Sequence, residues 1–232
     1  MRVIGMLGGM SWESTLHYYR LANELVRDRL GGLHSARIVL DSVDFADVEA
    51  LQSSGEWDAA GALLAERARA VSAAGADFLV LCTNTMHKVV GDIEAAVSIP
   101  VLHIADATAK AVLRAGHTRI GLLGTAFTME QEFYRDRVGA HGLDVLVPGP
   151  GDRALVHRVI YDELVQGRVL DESRAAFQRV IGRLVDDGAE AVILGCTEIE
   201  LLIGPEDSPV PVFPTTRLHV EAAVAMALAD PR

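Results

Sequence analysis

The two most reactive side chains of this sequence are cysteines, and each stands where an apolar run gives way to small polar residues. One run reads Leu79-Val-Leu-Cys82-Thr83-Asn84-Thr85-Met86-His87-Lys88, the other Ala191-Val-Ile-Leu-Gly195-Cys196-Thr197-Glu198. They are the only cysteines in 232 residues and lie 114 positions apart. A thiolate is a good base as well as a nucleophile. Two thiols on opposite faces of one carbon suit a single reaction: one removes a proton, the other returns one to the far side, and the stereocentre inverts. That is general acid-base catalysis, and it needs neither a metal nor an organic cofactor. Backbone N–H groups at the start of a helix after each cysteine would lower the thiol pKa and offer an anion site for a carboxylate. For either cysteine alone, packing in the core is the competing reading, and a disulfide is another. No metal site is expected, because no Cys-x-x-Cys or His-x-x-x-His spacing supplies further ligands.

The elements that must position these groups alternate in type. Strand-like runs occupy about residues 2–7, 37–43, 78–81, 99–104, 119–124, 143–147, 191–194 and 210–213. Helical patterns occupy about 12–30, 57–74, 85–97, 106–114, 129–141, 152–187 with a break near Gly167, and 216–229, while 44–56 reads as an acidic connection. Such alternation indicates parallel sheets covered on both faces. The order also repeats. Ile4-Gly-Met-Leu-Gly-Gly9 echoes Ile120-Gly-Leu-Leu-Gly-Thr125, Gly75-Ala-Asp77 echoes Gly188-Ala-Glu190, and Ser98-Ile-Pro-Val101 echoes Ser208-Pro-Val-Pro-Val212, at offsets of 116, 113 and about 111. The fold class expected is therefore α/β: two similar Rossmann-like parallel-sheet domains related by a pseudo-two-fold axis. Residues 1–104, completed by a C-terminal helix 215–232, form the first domain, and 105–214 the second.

Composition removes several function classes. A net charge of -11 and a pI near 5.1 repel phosphate backbones and anionic bilayers, so no nucleic-acid or membrane partner is expected. There is no export-signal pattern and no apolar run of the roughly 18 residues that span a bilayer. The expected location is cytoplasmic, where two distant cysteines are free thiols. Gly5-x-x-Gly8-Gly9 lacks dinucleotide-site spacing and reads as a tight turn near substrate. Thr125 and Thr128 occupy the repeat of that turn and are candidates for substrate contact or helix capping. His87 reads either as a histidine that tunes Cys82 or as a partly exposed helical one, His103 as a strand-end residue that could border a cleft. Trp12, Tyr18 and Tyr19 read as core or subunit interface.

Cys82-Thr83-Asn84-Thr85, Gly195-Cys196-Thr197-Glu198 and the opening Ile4-Gly-Met-Leu-Gly-Gly-Met-Ser-Trp-Glu-Ser-Thr15 together resemble the aspartate/glutamate racemase family, nearest its broad-specificity amino-acid branch. The resemblance extends over essentially the whole chain. It implies a racemase independent of pyridoxal phosphate, two α/β domains with the active site between them, an amino-acid substrate and a homodimer. It implies that Cys82 and Cys196 are the acid/base pair, that Gln52, Thr83, Asn84 and Thr197 contact substrate, and that Met10 and Ser11 lie nearby. Glu198 stands where glutamate racemases carry histidine and counts among the substrate-binding candidates. The aspartate-selective branch has cations after the second strand and before the second cysteine strand. Here 41–58 contains no Arg or Lys, Val165 falls near the lysine position, and Arg168 is only close by. A side-chain carboxylate would be poorly compensated, so neutral or broad specificity is expected. The alternatives are a cysteine-dependent decarboxylase or isomerase of small carboxylates on the same scaffold, and a non-catalytic small-carboxylate binder.

Overall fold

The computed structural model describes residues 1–229. The chain divides into two units, residues 1–104 together with the segment from His219, and residues 105–218. The first runs β1 (Ile4–Gly8), α1 (Trp12–Leu30), β2 (Ile38–Ser42), α2 (Phe45–Ser54), α3 (Trp57–Ala73), β3 (Phe78–Leu81), a 3-10 turn over Thr85–Val89, α4 (Val90–Ala96) and β4 (Val101–Leu102). The second runs α5 (Ile104–Arg114), β5 (Arg119–Gly124), α6 (Ala126–Glu130), α7 (Glu132–Gly139), β6 (Asp144–Leu146), α8 (Pro150–Asp162), a 3-10 turn over Leu164–Gln166, α9 (Asp171–Asp186), β7 (Ala191–Gly195), α10 (Ile199–Leu202) and β8 (Val212–Pro214), after which comes α11 (Thr215–Leu228). Each unit holds a four-stranded parallel sheet, ordered β2-β1-β3-β4 in the first and β6-β5-β7-β8 in the second. The expected C-terminal helix is α11. Its first turn groups with the second unit and the remainder with the first, and positions 230–232 of the expected span lie outside the described residues.

The central strands β1, β3 and β7 are buried at every position, which is why they read as unbroken apolar runs. Their side chains nonetheless sort by period two. In the first unit Ile4, Met6, Phe78, Val80 and Cys82 pack with Tyr18 and Leu21 of α1 and with Val220 and Val224 of α11. Leu7, Leu79 and Leu81 pack on the other side with Leu64, Ala68 and Val71 of α3. In the second unit Val192, Leu194 and Cys196 join Val156 and Ile160 of α8 and Phe177, Val180 and Leu184 of α9.

Several elements differ from the sequence expectation for local reasons. The stretch 44–56 contains a helix, α2, started by the Asp44 carboxylate, which accepts the Ala46 N–H at 3.0 Å, and ended by Gly55 at φ 76°. Only Val48 and Gln52 of it are buried, too few to make an apolar stripe, so the caps were its only signal. The helix expected over 129–141 is two helices joined at Gln131, whose backbone is extended. The long helical region breaks as expected around Gly167, at φ 72°. The fourth strand is cut to two residues because α5 already begins at Ile104.

Candidate functional site

In both units the polar candidates sit just past the carboxyl ends of adjacent parallel strands, where sheets of this kind bind ligands. After β1, Gly8 and Gly9 turn the chain so that Ser11 caps α1. Its Oγ accepts the Ser14 N–H at 3.3 Å, and Met10 and Ser11 are buried in the turn. Thr15 locks this turn: its Oγ1 accepts the Gly9 N–H at 2.7 Å and donates to the Ser11 carbonyl at 2.8 Å. Beside it, β3 delivers Cys82, Thr83 and Asn84. Gln52, on the helix after β2, is buried, and its amide oxygen has no hydrogen-bond partner among the described residues. A buried acceptor of that kind is costly unless a ligand donor fills it.

The loop after β3 is held from behind by histidine. His87 is buried rather than partly exposed. Its Nε2 accepts the Ile104 N–H at 3.3 Å, so Nδ1 carries the proton and donates to the Thr83 carbonyl at 2.8 Å. The His87 ring lies 4.4 Å from that of His103 and 6.0 Å from that of His219, and His103 too is buried. His219 accepts from the Tyr18 hydroxyl at 3.0 Å and donates to the Leu102 carbonyl at 2.7 Å. Burial pushes its pKa down to about 4, so it is neutral near pH 7.

In the second unit Thr125 caps α6, its Oγ1 accepting the Thr128 N–H at 3.3 Å, and the two hydroxyls are also 3.3 Å apart. His157 of α8 accepts the Ala126 N–H at 3.2 Å and so supports the same turn. After β7, Cys196 donates its Sγ–H to Glu198 Oε2 at 3.0 Å, and the Thr197 hydroxyl donates to the same oxygen at 2.6 Å. Glu200, one turn on, accepts the Thr216 N–H at 2.8 Å. Burial, with help from the Glu198 charge, pushes Glu200 up to about 7. Both thiols are raised rather than lowered: Cys82 by burial alone, Cys196 first by burial, then by the charge and hydrogen bond of Glu198. The amides of Glu198 and Ile199 do pull Cys196 downward, as expected of a helix start, but they are outweighed.

The strand registers do not make the two cysteines equivalent. Leu7 of β1 pairs with Leu81 of β3, and Leu123 of β5 pairs with Leu194 of β7. With Leu7 matched to Leu123, the offset along β3 and β7 is 113, and counting on at that offset past Leu81, the last paired residue of β3, Gly195 rather than Cys196 matches Cys82, and Cys196 matches Thr83. Because side chains alternate across a strand, that single step turns Cys82 to the other face of its sheet. Cys82 is 0% exposed, whereas Thr83 and Cys196 are 7% and 8% exposed.

Sequence reasoning named Met10, Ser11, Gln52, Thr83, Asn84, Thr125, Thr128, Thr197 and Glu198, and each lies at the carboxyl-edge loops or, for Gln52 and Thr128, on the helix that follows one. It missed Thr15 and His157, whose roles depend on loop closure and on a contact 31 positions away in the chain. Among the described residues no group of three or more His, Cys, Asp or Glu side chains is placed to hold a metal ion, and no helix is long and apolar enough to cross a membrane.

The family model described as Asp/Glu/Hydantoin racemase matches residues 7–223. A structure from Yersinia pestis, assigned by proposal as an Asp/Glu racemase, is 52% identical with a TM-score of 0.92, over 98% of this chain and 100% of that one. An aspartate racemase homologue from Pyrococcus horikoshii OT3 is 32% identical with a TM-score of 0.86, over 98% of this chain and 99% of the other. The broad-specificity amino-acid racemase RacX of Bacillus subtilis (strain 168) is 24% identical over 155 residues, 67% of this chain and 66% of that protein's length.

Proposed function

Since the chain belongs to the Asp/Glu/Hydantoin racemase family, we propose that it is an amino-acid racemase needing no pyridoxal phosphate, with Cys196 and Thr83 as its acid/base pair. What supports the pair is the strand register, which, counted on past the paired residues Leu81 and Gly195, sets Thr83 against Cys196, together with the packing of Cys82 in the α1 and α11 core. In one direction the Cys196 thiolate abstracts the α-proton and the Thr83 hydroxyl donates a proton to the opposite face; the reverse direction exchanges the roles. The N–H groups of the loops after β3 and β7 oppose the charge that grows on the substrate carboxylate. Met10, Ser11, Gln52, Asn84, Thr125, Thr128 and Thr197 form the substrate contacts, and the vacant acceptor of Gln52 takes a ligand N–H.

The side chain accepted is neutral or varied. Arg67, a cation near the end of β2, is 3.9 Å from Asp41 and 2.5 Å from Glu66, and Arg168 is exposed, so neither is set to receive a second substrate carboxylate. The location proposed is cytoplasmic, consistent with two free thiols. A homodimer is proposed too, through the exposed row Trp12, Leu16 and Tyr19 on α1.

The test is α-hydrogen exchange, followed by proton NMR in deuterated buffer, over a panel of L- and D-amino acids. Wild type and Cys82→Ala are expected to wash out the α-signal, and Cys196→Ser and Thr83→Ala to fail. Loss of exchange in Cys82→Ala with retention in Thr83→Ala would restore the two-cysteine pair. No exchange with any amino acid in any variant would end the racemase reading.

A further inference from the structure

The proposed pair is chemically lopsided, and the side chains around Cys196 carry that asymmetry further. Glu198 Oε2 receives two hydrogens at once, from the Cys196 thiol at 3.0 Å and from the Thr197 hydroxyl at 2.6 Å. All three residues are buried, at 8%, 7% and 5% exposure for Cys196, Thr197 and Glu198. Counted on at the same offset of 113 past the ends of β3 and β7, Glu198 falls at Thr85, so the first unit has no carboxylate at this position.

We propose that Glu198 is a positioning residue that holds the proton of Cys196: its carboxylate orients the Sγ–H and keeps the residue a thiol, so Glu198 sets the pH at which Cys196 can act as a base. An anion beside a thiol disfavours the thiolate, and the effect is strongest where water is excluded. The direction of the Cys196 shift agrees, with Glu198 acting upward through both its charge and its hydrogen bond. Charged groups facing this corner include Glu200 on α10, and Arg217 on α11, which acts on Glu200 in the opposite sense. The inference rests on the racemase reading only for its catalytic consequence. The proton-holding role stands by itself.

The first test therefore uses no substrate. With cysteine labelled at 13Cβ, the chain's two resonances are assigned by Cys82→Ser and followed as pH rises. Glu198→Gln is expected to lower the midpoint of Cys196 by about one pH unit or more and to leave Cys82 unmoved. Glu198→Asp, which keeps the charge, stays closer to wild type. Thr197→Val removes the competing donor and frees the carboxylate for the thiol, so it moves the Cys196 midpoint upward. An unchanged Cys196 midpoint in Glu198→Gln, or, should that variant not fold, no upward movement in Thr197→Val, overturns the proposal. The second test is the pH profile of α-hydrogen exchange. The limb that rises as Cys196 ionises moves to lower pH in Glu198→Gln by the same amount. A titration that moves while no amino acid exchanges would keep the role of Glu198 and reject the racemase.

Discussion

At the scale of single residues, the proposed function gives the neighbours Thr83 and Cys82 opposite duties. If Thr83 supplies acid/base catalysis, Thr83→Ala lowers exchange by about 10²–10⁴-fold, while Thr83→Ser keeps the hydroxyl and most of the rate. Cys82→Ala removes a buried sulfur from among Phe78, Val80 and Tyr18. It is expected to lower the urea midpoint and cost about 1 kcal/mol, with the exchange rate close to wild type. Glu200 gives a separate residue-level prediction. Its carboxyl is raised from 4.5 to about 7 in the folded chain, so the folded state holds a proton that the unfolded state has released between those values. Its favourable contribution is complete below pH 4.5 and is lost as pH rises through 7. Glu200→Gln is therefore expected to match wild type in acid and to exceed it by about 1–2 kcal/mol at pH 8.5, read from urea unfolding at the two pH values.

At the scale of elements, the loops after the strands depend on what locks them from behind. Gly9 has φ 91°, and a Cβ there would collide with the Val43 backbone that continues β2. Gly9→Ala is expected to cost about 2 kcal/mol or more and to disturb the Thr15–Ser11 lock, seen as a lower melting temperature and a raised KM. The α11 contribution is electrostatic as well as apolar. His219 is buried neutral between Tyr18 and Leu102, with a folded pKa near 4 against 6.5 when free. Its contribution is therefore intact above pH 6.5 and lost as pH falls towards 4, amounting to about 2–3 kcal/mol. Urea midpoints measured from pH 7 to 4 should fall more steeply for wild type than for His219→Gln, whose amide keeps a donor and an acceptor without the charge. The missed helix α2 belongs to the same scale. Its caps, Asp44 and Gly55, were legible, but with only Val48 and Gln52 buried it lacks the apolar period that marks a packed helix.

At the scale of the whole molecule, the two sheets share one strand order although their helical coverings differ. Duplication with divergence accounts for a common topology whose loops now carry different chemistry: Thr83 with a histidine-braced carbonyl in one unit, Cys196 with a carboxylate in the other. The row Trp12, Leu16 and Tyr19 is 64%, 57% and 48% exposed on α1, the spacing of one helix face. Sedimentation of wild type at twice 24.9 kDa, and of Leu16→Glu at the single-chain mass, is the outcome expected of pairing through that face. A wild-type monomer would remove the homodimer.

Much of this was legible from the chain alone. Alternating apolar and helical periods require parallel sheets whatever their packing, the internal echoes require two similar halves, and the Cys-Thr loops with the Gly-rich opening identify the family. Which residue of the first loop corresponds to Cys196 was not legible. Matching letters aligned Cys82-Thr83 with Cys196-Thr197 at an offset of 114, while hydrogen-bonded registers that follow Leu7–Leu81 and Leu123–Leu194 require 113. A strand turns alternate side chains to opposite faces, so a one-residue difference that barely alters a sequence comparison sets Cys82 on the α1 and α11 side of its sheet while Cys196 packs on the α8 and α9 side of the other. The buried environment of the thiols was likewise decided in three dimensions. The helix-start amides were foreseeable from sequence, but only the fold sets the desolvation and the Glu198 carboxylate that outweigh them.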